Sequence, residues 1–279
     1  MTIDIQPVTG FLGAEIRGID LAQPLDAAAF DCIHTALLEH LVLFFPDQDI
    51  TPAQQVAFGR RFGALHVHPF IPCLEGHPEI IVLGSRDDGP GENTRQSNVW
   101  HTDLTYTKTP PLGAMLHAID IPSAGGDTMF ANMYAAYEAL SGPMQKFLDG
   151  LTAVHDIGHT LTRGEFFSGE GLDKLKRTRE RTPPVEHPVI RTHPETGRKA
   201  LFINAHFVSY IKDLTGAESD ALLAFLISHV NKPEFQYRHR WRTHDLAFWD
   251  NRCTQHYAVV DYAARRIMHR VTICGDVPT

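Results

Sequence analysis

Short strand-like segments follow one another from about residue 79 to residue 274, separated by turns that contain proline or glycine. In the segment 234–241, Phe235, Tyr237, His239 and Trp241 share one face, which is the alternation of a half-buried strand. The predicted strands of this series are 79–83, 112–121, 128–131, 189–192, 200–204, 234–241, 245–249 and 265–274. Many short strands in one chain favour a sandwich or jelly roll with helices packed outside. We therefore predict a mainly β fold.

The remaining segments predict two further strands and several helices. Residues 2–8 alternate as an edge strand does, and the apolar run 41–45 predicts a buried strand. Capping boxes at 51–54 and 215–218 mark two helix starts. The predicted helices are 24–40, one that begins after Thr51, 132–140, 142–148 and 217–230.

The organisation along the chain indicates a single domain, 1–279, without internal repeats. The segment 158–184 is polar and basic and has no clear hydrophobic period. Loops of this length are uncommon unless they are functional or disordered. We predict a flexible loop or lid there.

Charge and cysteine use exclude several classes of protein. The formal net charge is −8, which argues against nucleic acid as a partner because binding phosphates requires clustered Lys and Arg. No apolar run approaches the ~20 residues of a membrane span. The first residues have neither a basic nor an apolar leader region, and the four cysteines form no C-x-x-C pair. We expect a cytoplasmic protein with reduced thiols.

Histidine is unusually frequent, with 17 copies in 279 residues, and it is the commonest metal ligand. His101 and Asp103 are two residues apart, so on a strand their side chains point the same way and can converge on one ion. A third ligand must come from elsewhere, and His256 is the best candidate. Two histidines and one carboxylate with open positions form the facial arrangement of non-haem Fe(II) oxygenases.

The spacing alone leaves other interpretations open. His66 and His68 have a similar spacing, and a lone H-x-D is also typical of a surface histidine beside a turn. The same His/Asp/His set suits a hydrolytic zinc site, since zinc also takes three protein ligands and a water. A metal-binding jelly-roll module without turnover is the non-enzymatic alternative.

Four strings of residues carry a resemblance to a known family. They are Trp100-His101-Thr102-Asp103, Gly125-Gly126-Asp127-Thr128, the segment from Trp249-Asp250-Asn251-Arg252 to Gln255-His256, and Arg265-Arg266-Ile267-Met268-His269-Arg270. In this order they resemble the taurine/alpha-ketoglutarate dioxygenase family of Fe(II)- and 2-oxoglutarate-dependent oxygenases, over nearly the whole chain. The resemblance implies a double-stranded β-helix core (a cupin-like jelly roll) with outer helices. It also implies Fe(II), 2-oxoglutarate as cosubstrate and O₂.

The resemblance assigns the catalytic metal ligands and the cosubstrate contacts. His101, Asp103 and His256 are implied to bind iron. Thr128 and Arg266 resemble the residues that hold the far carboxylate of 2-oxoglutarate.

A second anion contact is implied further along the same segment. Arg270 resembles the residue that binds the anionic head of the primary substrate, and His68 resembles a histidine that assists it. Arg266, Met268 and Arg270 fall on one face of the predicted strand, so two guanidinium groups can serve two anions in one cavity. Arginine suits this role because its planar fork binds a carboxylate or sulfonate at two points.

The residues around the implied substrate depart from the taurine-specific pattern. Ile71 replaces a tyrosine, Ser97 replaces an asparagine with Asn98 next to it, and Ile157 replaces a phenylalanine, whereas Phe207 keeps its aromatic character. The loss of polar contacts matters because a site built to hydrogen-bond an amine rejects substrates that lack it. The expected substrate is a small organic anion, either a taurine-like sulfonate or an alkyl sulfate, oxidised beside its heteroatom with release of sulfite or sulfate. An aryloxyalkanoate is the alternative. The family also implies a homo-oligomer, a dimer or tetramer.

Overall fold

The computed structural model describes residues 3–68, 71, 73–85, 97–162 and 169–279. Sixteen strands lie in these ranges. They are β1 (Asp4–Pro7), β2 (Ala14–Arg17), β3 (Val42–Phe45), β4 (Cys73–Leu74), β5 (His77–Ser85), β6 (Gly113–Asp120), β7 (Thr128–Asn132), β8 (Thr152–His155), β9 (Val185–Pro188), β10 (Ile190–Thr192), β11 (Lys199–Leu201), β12 (Val208–Ile211), β13 (Gln236–His239), β14 (Leu246–Asp250), β15 (Thr254–Ala258) and β16 (Arg266–Ile273).

Helices lie between these strands and at the edges of the fold. They are α1 (Ala27–His40), α2 (Pro52–Arg60), α3 (Met133–Glu138), α4 (Gly142–Leu148), α5 (His159–Thr162), α6 (Gly169–Arg181) and α7 (Gly216–His229), with a short 3-10 turn at Pro233–Phe235. The two predicted capping boxes are present, at Thr51 with Gln54 and at Thr215 with Glu218. Each pairs a hydroxyl with the third backbone N–H of its helix.

Two sheets form the core around the predicted site. The larger has the order β1-β2-β3-β14-β6-β16-β5-β4, and the smaller has the order β13-β7-β15. All of their pairings are antiparallel except β2 with β3. Phe44 of β3 and Trp249 of β14 contact Phe130 of β7, each with ring centroids 5.8 Å apart, so the two sheets pack face to face.

The outer face of the larger sheet is covered by α1 and α2. Side chains on one face of β3, such as Leu43, pack with Ile33 and Leu37 of α1 and Phe58 of α2. The alternate side chains of β3, such as Phe44, face the smaller sheet. This alternation is what buries both faces of a central strand. In the described part of the chain, no helix is long and apolar enough to cross a membrane.

Most predicted elements are present in the structure, and two predicted segments differ from it. The described part of 158–184 is not an irregular loop, because it contains α5 and α6; residues 163–168 lie outside the described residues. A lid movement of this segment stays a prediction. The predicted strand 234–241 begins only at Gln236, after the 3-10 turn. Six strands escaped prediction: β2, β4, β8, β9, β12 and β15.

Candidate metal centre and substrate pockets

The three predicted metal ligands meet between the two sheets. The backbones of His101 and His256 pair, with N–H to O=C distances of 3.0 and 2.8 Å, which brings their imidazole rings to 4.1 Å. Asp103 lies two residues on, and its carboxylate oxygens are each 3.9 Å from the Nε2 atom of one histidine. One ligand atom from each residue lies within 4.8 Å of the others, and all three residues are buried. One cation can bridge such a group.

The hydrogen bonds around the triad fit a metal. Nδ1 of His101 donates to the carbonyl of Val99 at 2.8 Å, which leaves Nε2 unprotonated and facing Asp103. Metal-ligating histidines usually donate their other ring nitrogen in this way. Oδ2 of Asp103 is buried with no hydrogen-bond partner among the described residues. A carboxylate oxygen in that condition is costly unless a cation satisfies it.

Electrostatics keep the triad in its metal-binding protonation state. Burial lowers the pKa of His256 to about 3, and burial also lowers the pKa of His101. Burial alone would raise the pKa of Asp103, but the Arg270 guanidinium and the nearby histidines outweigh it and lower it to about 2. At neutral pH the triad therefore holds two neutral imidazoles and one carboxylate, so a metal need not displace protons.

A reciprocal clamp holds the ligand loop against the turn that follows β14. Asn251 accepts from the backbone N–H of Asp103 at 2.9 Å and donates to its carbonyl at 3.1 Å. The Thr102 hydroxyl donates to the carbonyl of Thr254 at 2.9 Å. Because β15 starts at Thr254, this clamp fixes His256 relative to Asp103. Asn251 is part of the motif recognised in the sequence, but its contact with Asp103 was not predicted.

A second buried cluster, formed by His193, Asp250 and Cys253, also has ligand atoms close together. Its donors and acceptors are already used. His193 donates through Nε2 to Asp250 at 3.0 Å, and Arg252 donates to both carboxylate oxygens at 2.6 to 2.9 Å. Burial raises the pKa of the Cys253 thiol, which keeps it protonated. This cluster is a structural ion network, and Cys253 is a buried free thiol.

An inner pocket opens from the triad toward β16. Arg266 is 4% exposed and makes no ion pair within the described chain, a costly state that an anionic ligand would relieve. Thr128 lies beside it, and its hydroxyl accepts from Nε1 of Trp241 at 3.0 Å. The residues lining the inner pocket are Leu83, Ser97, His101, Leu116, Thr128, Trp249, His256, Ala258, Arg266 and Arg270.

A glycine positions the Arg266 side chain. Nε of Arg266 donates to the carbonyl of Gly126 at 3.1 Å, and the N–H of Gly126 donates to Asp261 at 2.8 Å. Gly126 has φ +73°, and a Cβ there would lie 3.0 Å from Cδ and Nε of Arg266. Glycine is therefore required both by the backbone conformation and by the close approach.

An outer pocket lies on the other side of the triad. It contains the predicted substrate contacts His68, Ile71, Ser97, Ile157 and Phe207. The prediction missed five other lining residues, which are Leu83, Leu104, Tyr106, Thr160 and His206. The predicted contact Asn98 has an exposed side chain and is absent from the described lining of both pockets.

Arg270 lines both pockets. Its Nη1 donates to Oδ1 of Asp103 at 3.2 Å, and its buried Nε has no partner in the described residues. Of its N–H donors, Nη1–H is used by Asp103, and Nε–H is left without a partner in the described residues. The guanidinium can hold an anion in the outer pocket while it remains next to the ligand carboxylate.

Two further polar groups of the outer pocket, His68 and Tyr106, are neutral at physiological pH. Burial and the nearby Arg270 charge lower the pKa of His68 to about 4. Burial and the Asp103 charge raise the pKa of Tyr106 to about 12. Arg270 is therefore the positive group of this pocket, and His68 and Tyr106 contribute neutral hydrogen-bonding groups.

The sequence carried partial signals for the residues that were missed. Leu104 and Tyr106 directly follow the H-x-D motif, and His206 precedes the predicted Phe207. Proximity to a predicted residue was the available signal. Their placement in the pocket depends on the turn at Leu104, which has φ +51°, and on tertiary contacts such as the 4.9 Å ring contact of Tyr106 with Phe207.

Comparisons with known proteins agree with this geometry. The chain is 39% identical over 286 residues to an alpha-ketoglutarate-dependent sulfate ester dioxygenase of Pseudomonas putida, covering 100% of this chain and 91% of that protein. It is 35% identical to an alpha-ketoglutarate-dependent 2,4-dichlorophenoxyacetate dioxygenase of Cupriavidus pinatubonensis, covering 99% of each. The crystal structure of a taurine dioxygenase from Burkholderia xenovorans superposes with a TM-score of 0.84 at 36% identity, covering 99% of this chain and 91% of that one.

The sequence model of one protein family spans almost the whole chain. It matches residues 4–272, which include both sheets, the triad and both pockets. The resemblance stated from the sequence motifs is thereby confirmed. The chain belongs to the taurine catabolism dioxygenase TauD, TfdA family.

Proposed function

We propose that this protein is an Fe(II)- and 2-oxoglutarate-dependent dioxygenase that oxidises a small organic anion at the carbon next to its heteroatom. Sulfate esters and sulfonates are the proposed substrate class, with sulfate or sulfite, succinate and CO₂ as products. The family membership and the names of the relatives support the reaction type. The packing of the two sheets around the triad supports a double-stranded β-helix core.

The observation that carries the proposal is that two pockets lined by arginines meet at one candidate metal centre. Arg266 lies in the inner pocket, Arg270 borders both pockets, and His101 lines both. A hydrolytic metal site needs one substrate pocket and a water. Two arginine-containing pockets fit a reaction in which two organic anions must be close to the same metal.

Each pocket has the groups that its proposed ligand requires. Iron bound by His101, Asp103 and His256 would supply the oxidising chemistry with O₂. In the inner pocket, Arg266 and Thr128 are proposed to orient the far carboxylate of 2-oxoglutarate. One oxygen atom of O₂ ends in succinate and the other in the substrate, so each turnover consumes one 2-oxoglutarate and one O₂.

The protein's own contribution in the outer pocket is to bind and orient the primary substrate. Arg270 is proposed to hold the anionic head, with His68 beside it as a neutral hydrogen-bonding partner. Fixing the reacting carbon next to the metal is the part of catalysis that such contacts provide. Hydroxylation beside a sulfate-ester oxygen gives an unstable product that collapses to an aldehyde and sulfate.

The apolar wall of the outer pocket favours a substrate with a hydrocarbon part. Ile71, Leu104 and Ile157 lie with Phe207 around the pocket, which suits an alkyl chain better than the ammonium group of taurine. The sulfate ester dioxygenase relative supports the alkyl sulfate choice. The 2,4-dichlorophenoxyacetate dioxygenase relative favours an aryloxyalkanoate as the second candidate. Cytoplasmic location and a homo-oligomeric state stay predictions.

The test is a substrate panel with Fe(II), 2-oxoglutarate and O₂. Succinate formation is measured with taurine, hexanesulfonate, hexyl sulfate and 2,4-dichlorophenoxyacetate, together with released sulfite, sulfate or phenol. We expect hexyl sulfate to stimulate succinate formation most, with sulfate released in step. Phenol release would instead support the aryloxyalkanoate candidate. The absence of stimulation by every compound would contradict the proposed substrate classes and favour a module without turnover.

A further inference from the structure

The segment 103–107 carries a candidate metal ligand and part of the lining of the outer pocket. Asp103 is the candidate metal ligand, and Leu104 and Tyr106 line the outer pocket. Leu104 has φ +51°, a conformation that costs a non-glycine residue about 1 kcal/mol or more. A segment in that conformation must be held by its surroundings.

The Thr105 side chain points away from the pockets into a buried polar layer. Its hydroxyl lies 2.9 Å from Nδ1 of His155 and accepts from Nδ2 of Asn204 at 3.1 Å. All three side chains are at most 2% exposed. Nε2 of His187 adds bonds of 2.9 Å to the carbonyls of Thr105 and Thr107. The segment is thus fixed by three side chains from other parts of the chain.

Asn204 connects this layer to the aromatic wall of the outer pocket. Its Oδ1 accepts from the backbone N–H groups of His206 at 3.0 Å and Phe207 at 2.8 Å. Since Oδ1 serves two donors, Nδ2 must be the atom that faces Thr105. The ring of Phe207 lies 4.9 Å from that of Tyr106, and the ring of His206 lies 5.6 Å from that of His101.

We propose that Thr105 and Asn204 are positioning residues that join the metal-binding segment to the aromatic wall of the outer pocket. Their single buried hydrogen bond sets the distance between Asp103 and Phe207, and therefore how closely the primary substrate sits against the metal. Neither residue lines the inner or the outer pocket, so their effect passes through Leu104, Tyr106, His206 and Phe207. This inference rests on the proposed function, because it concerns the same outer pocket.

The mutational test compares Thr105→Val with Thr105→Ser. Valine keeps the branched shape of threonine but removes the hydroxyl, whereas serine keeps the hydroxyl. We expect Thr105→Val to raise KM for hexyl sulfate at least three- to tenfold, because the hydroxyl's hydrogen bonds to Asn204 and His155 are both lost. KM for 2-oxoglutarate should change less than twofold, since the inner pocket is untouched. The ratio of succinate to sulfate should rise. A loosely held substrate more often escapes oxidation while 2-oxoglutarate is still consumed. Thr105→Ser should behave as the wild type does.

A second readout does not depend on activity. Amide hydrogen exchange of the metal-free protein is measured on peptides covering 204–211, with peptides from α7 as the internal reference. Thr105→Val should speed exchange at His206 and Phe207 although neither residue contacts Thr105 directly, and Thr105→Ser should not. Asn204→Ala serves as the second variant if Thr105→Val fails to fold, and the same kinetic and exchange changes are expected from it.

The outcomes separate the inference from the proposed function. If wild-type protein shows no stimulation by any compound of the panel, the proposed function fails, and hydrogen exchange alone then decides whether the two walls are linked. If the wild type is active and Thr105→Val matches Thr105→Ser in KM, in coupling and in exchange, the inference is wrong. Equal increases in both KM values would also contradict it, since they would indicate a general loss of structure.

Discussion

Replacing Gly126 by alanine tests whether the inner pocket binds 2-oxoglutarate through Arg266. The new Cβ would lie 3.0 Å from Cδ and Nε of Arg266, within the space that this side chain now occupies. Arg266 would have to move, and its 3.1 Å bond to the carbonyl of Gly126 would weaken. The substitution changes no charge and no proposed contact atom, so any effect on 2-oxoglutarate comes from the position of the guanidinium.

The expected size follows from two separate contributions. The positive φ of +73° costs alanine about 1–2 kcal/mol of folding stability. A misplaced guanidinium loses up to one charge-assisted hydrogen bond to the ligand, which is worth about 1.5–3 kcal/mol. We therefore expect KM for 2-oxoglutarate to rise by roughly tenfold or more.

The matched control is Gly150→Ala. Gly150 also has a positive φ, +87°, but a Cβ there meets no atom of the described chain within 4 Å. Both variants should lose similar stability in urea unfolding, and only Gly126→Ala should raise KM for 2-oxoglutarate, measured by succinate formation at saturating substrate. An unchanged KM in Gly126→Ala, or an equal rise in Gly150→Ala, would refute the assignment of Arg266.

Three further predictions concern the triad and its surroundings. Asp103→Ala should abolish 2-oxoglutarate turnover. The control variant Asp49→Ala, at an exposed aspartate, should keep it. Substantial turnover by Asp103→Ala would mean that Asp103 is not a metal ligand. Burial would raise the pKa of Asp250, but hydrogen bonds from His193 and Arg252 outweigh it and hold the pKa below its usual value. The carboxylate therefore stabilises the fold above about pH 4 and loses that effect as the pH falls further. Asp250→Asn should cost about 3–5 kcal/mol at pH 7 in urea unfolding, with a smaller difference near pH 3; a difference independent of pH would contradict this. Chelation of the metal should leave the far-ultraviolet circular dichroism unchanged, because the Asn251 clamp holds the ligand segment without an ion; loss of that signal would show that the metal is needed for folding.

Elements with a strong periodic or capping signal were predictable from the sequence. The helix 142–148 and the strands β3 and β14 match the predicted segments closely, because apolar runs and helix caps act locally. The four-residue strands β8, β9 and β12 escaped prediction because they lack a recognisable alternation and form a sheet only with one another. The helix α6 escaped because its sequence is highly charged and contains few apolar residues.

The candidate site was predictable where chemistry is encoded by spacing. His101 and Asp103 are two residues apart, and Arg266 and Arg270 share a strand face, so local geometry brings each pair to one side. The sequence could not show that Asn251 clamps Asp103, or that Asn204 reaches Thr105 across 99 positions. Such contacts depend on the packing of distant strands, which no local pattern encodes.

The central claim is that oxidation of the primary substrate is coupled to 2-oxoglutarate at the His101–Asp103–His256 centre. The most direct measurement is the ratio of succinate to sulfate formed from hexyl sulfate with Fe(II), under air and under argon. We predict one succinate per sulfate under air and neither product under argon. Sulfate release that persists without O₂ or without 2-oxoglutarate would contradict it and indicate a hydrolytic metal site.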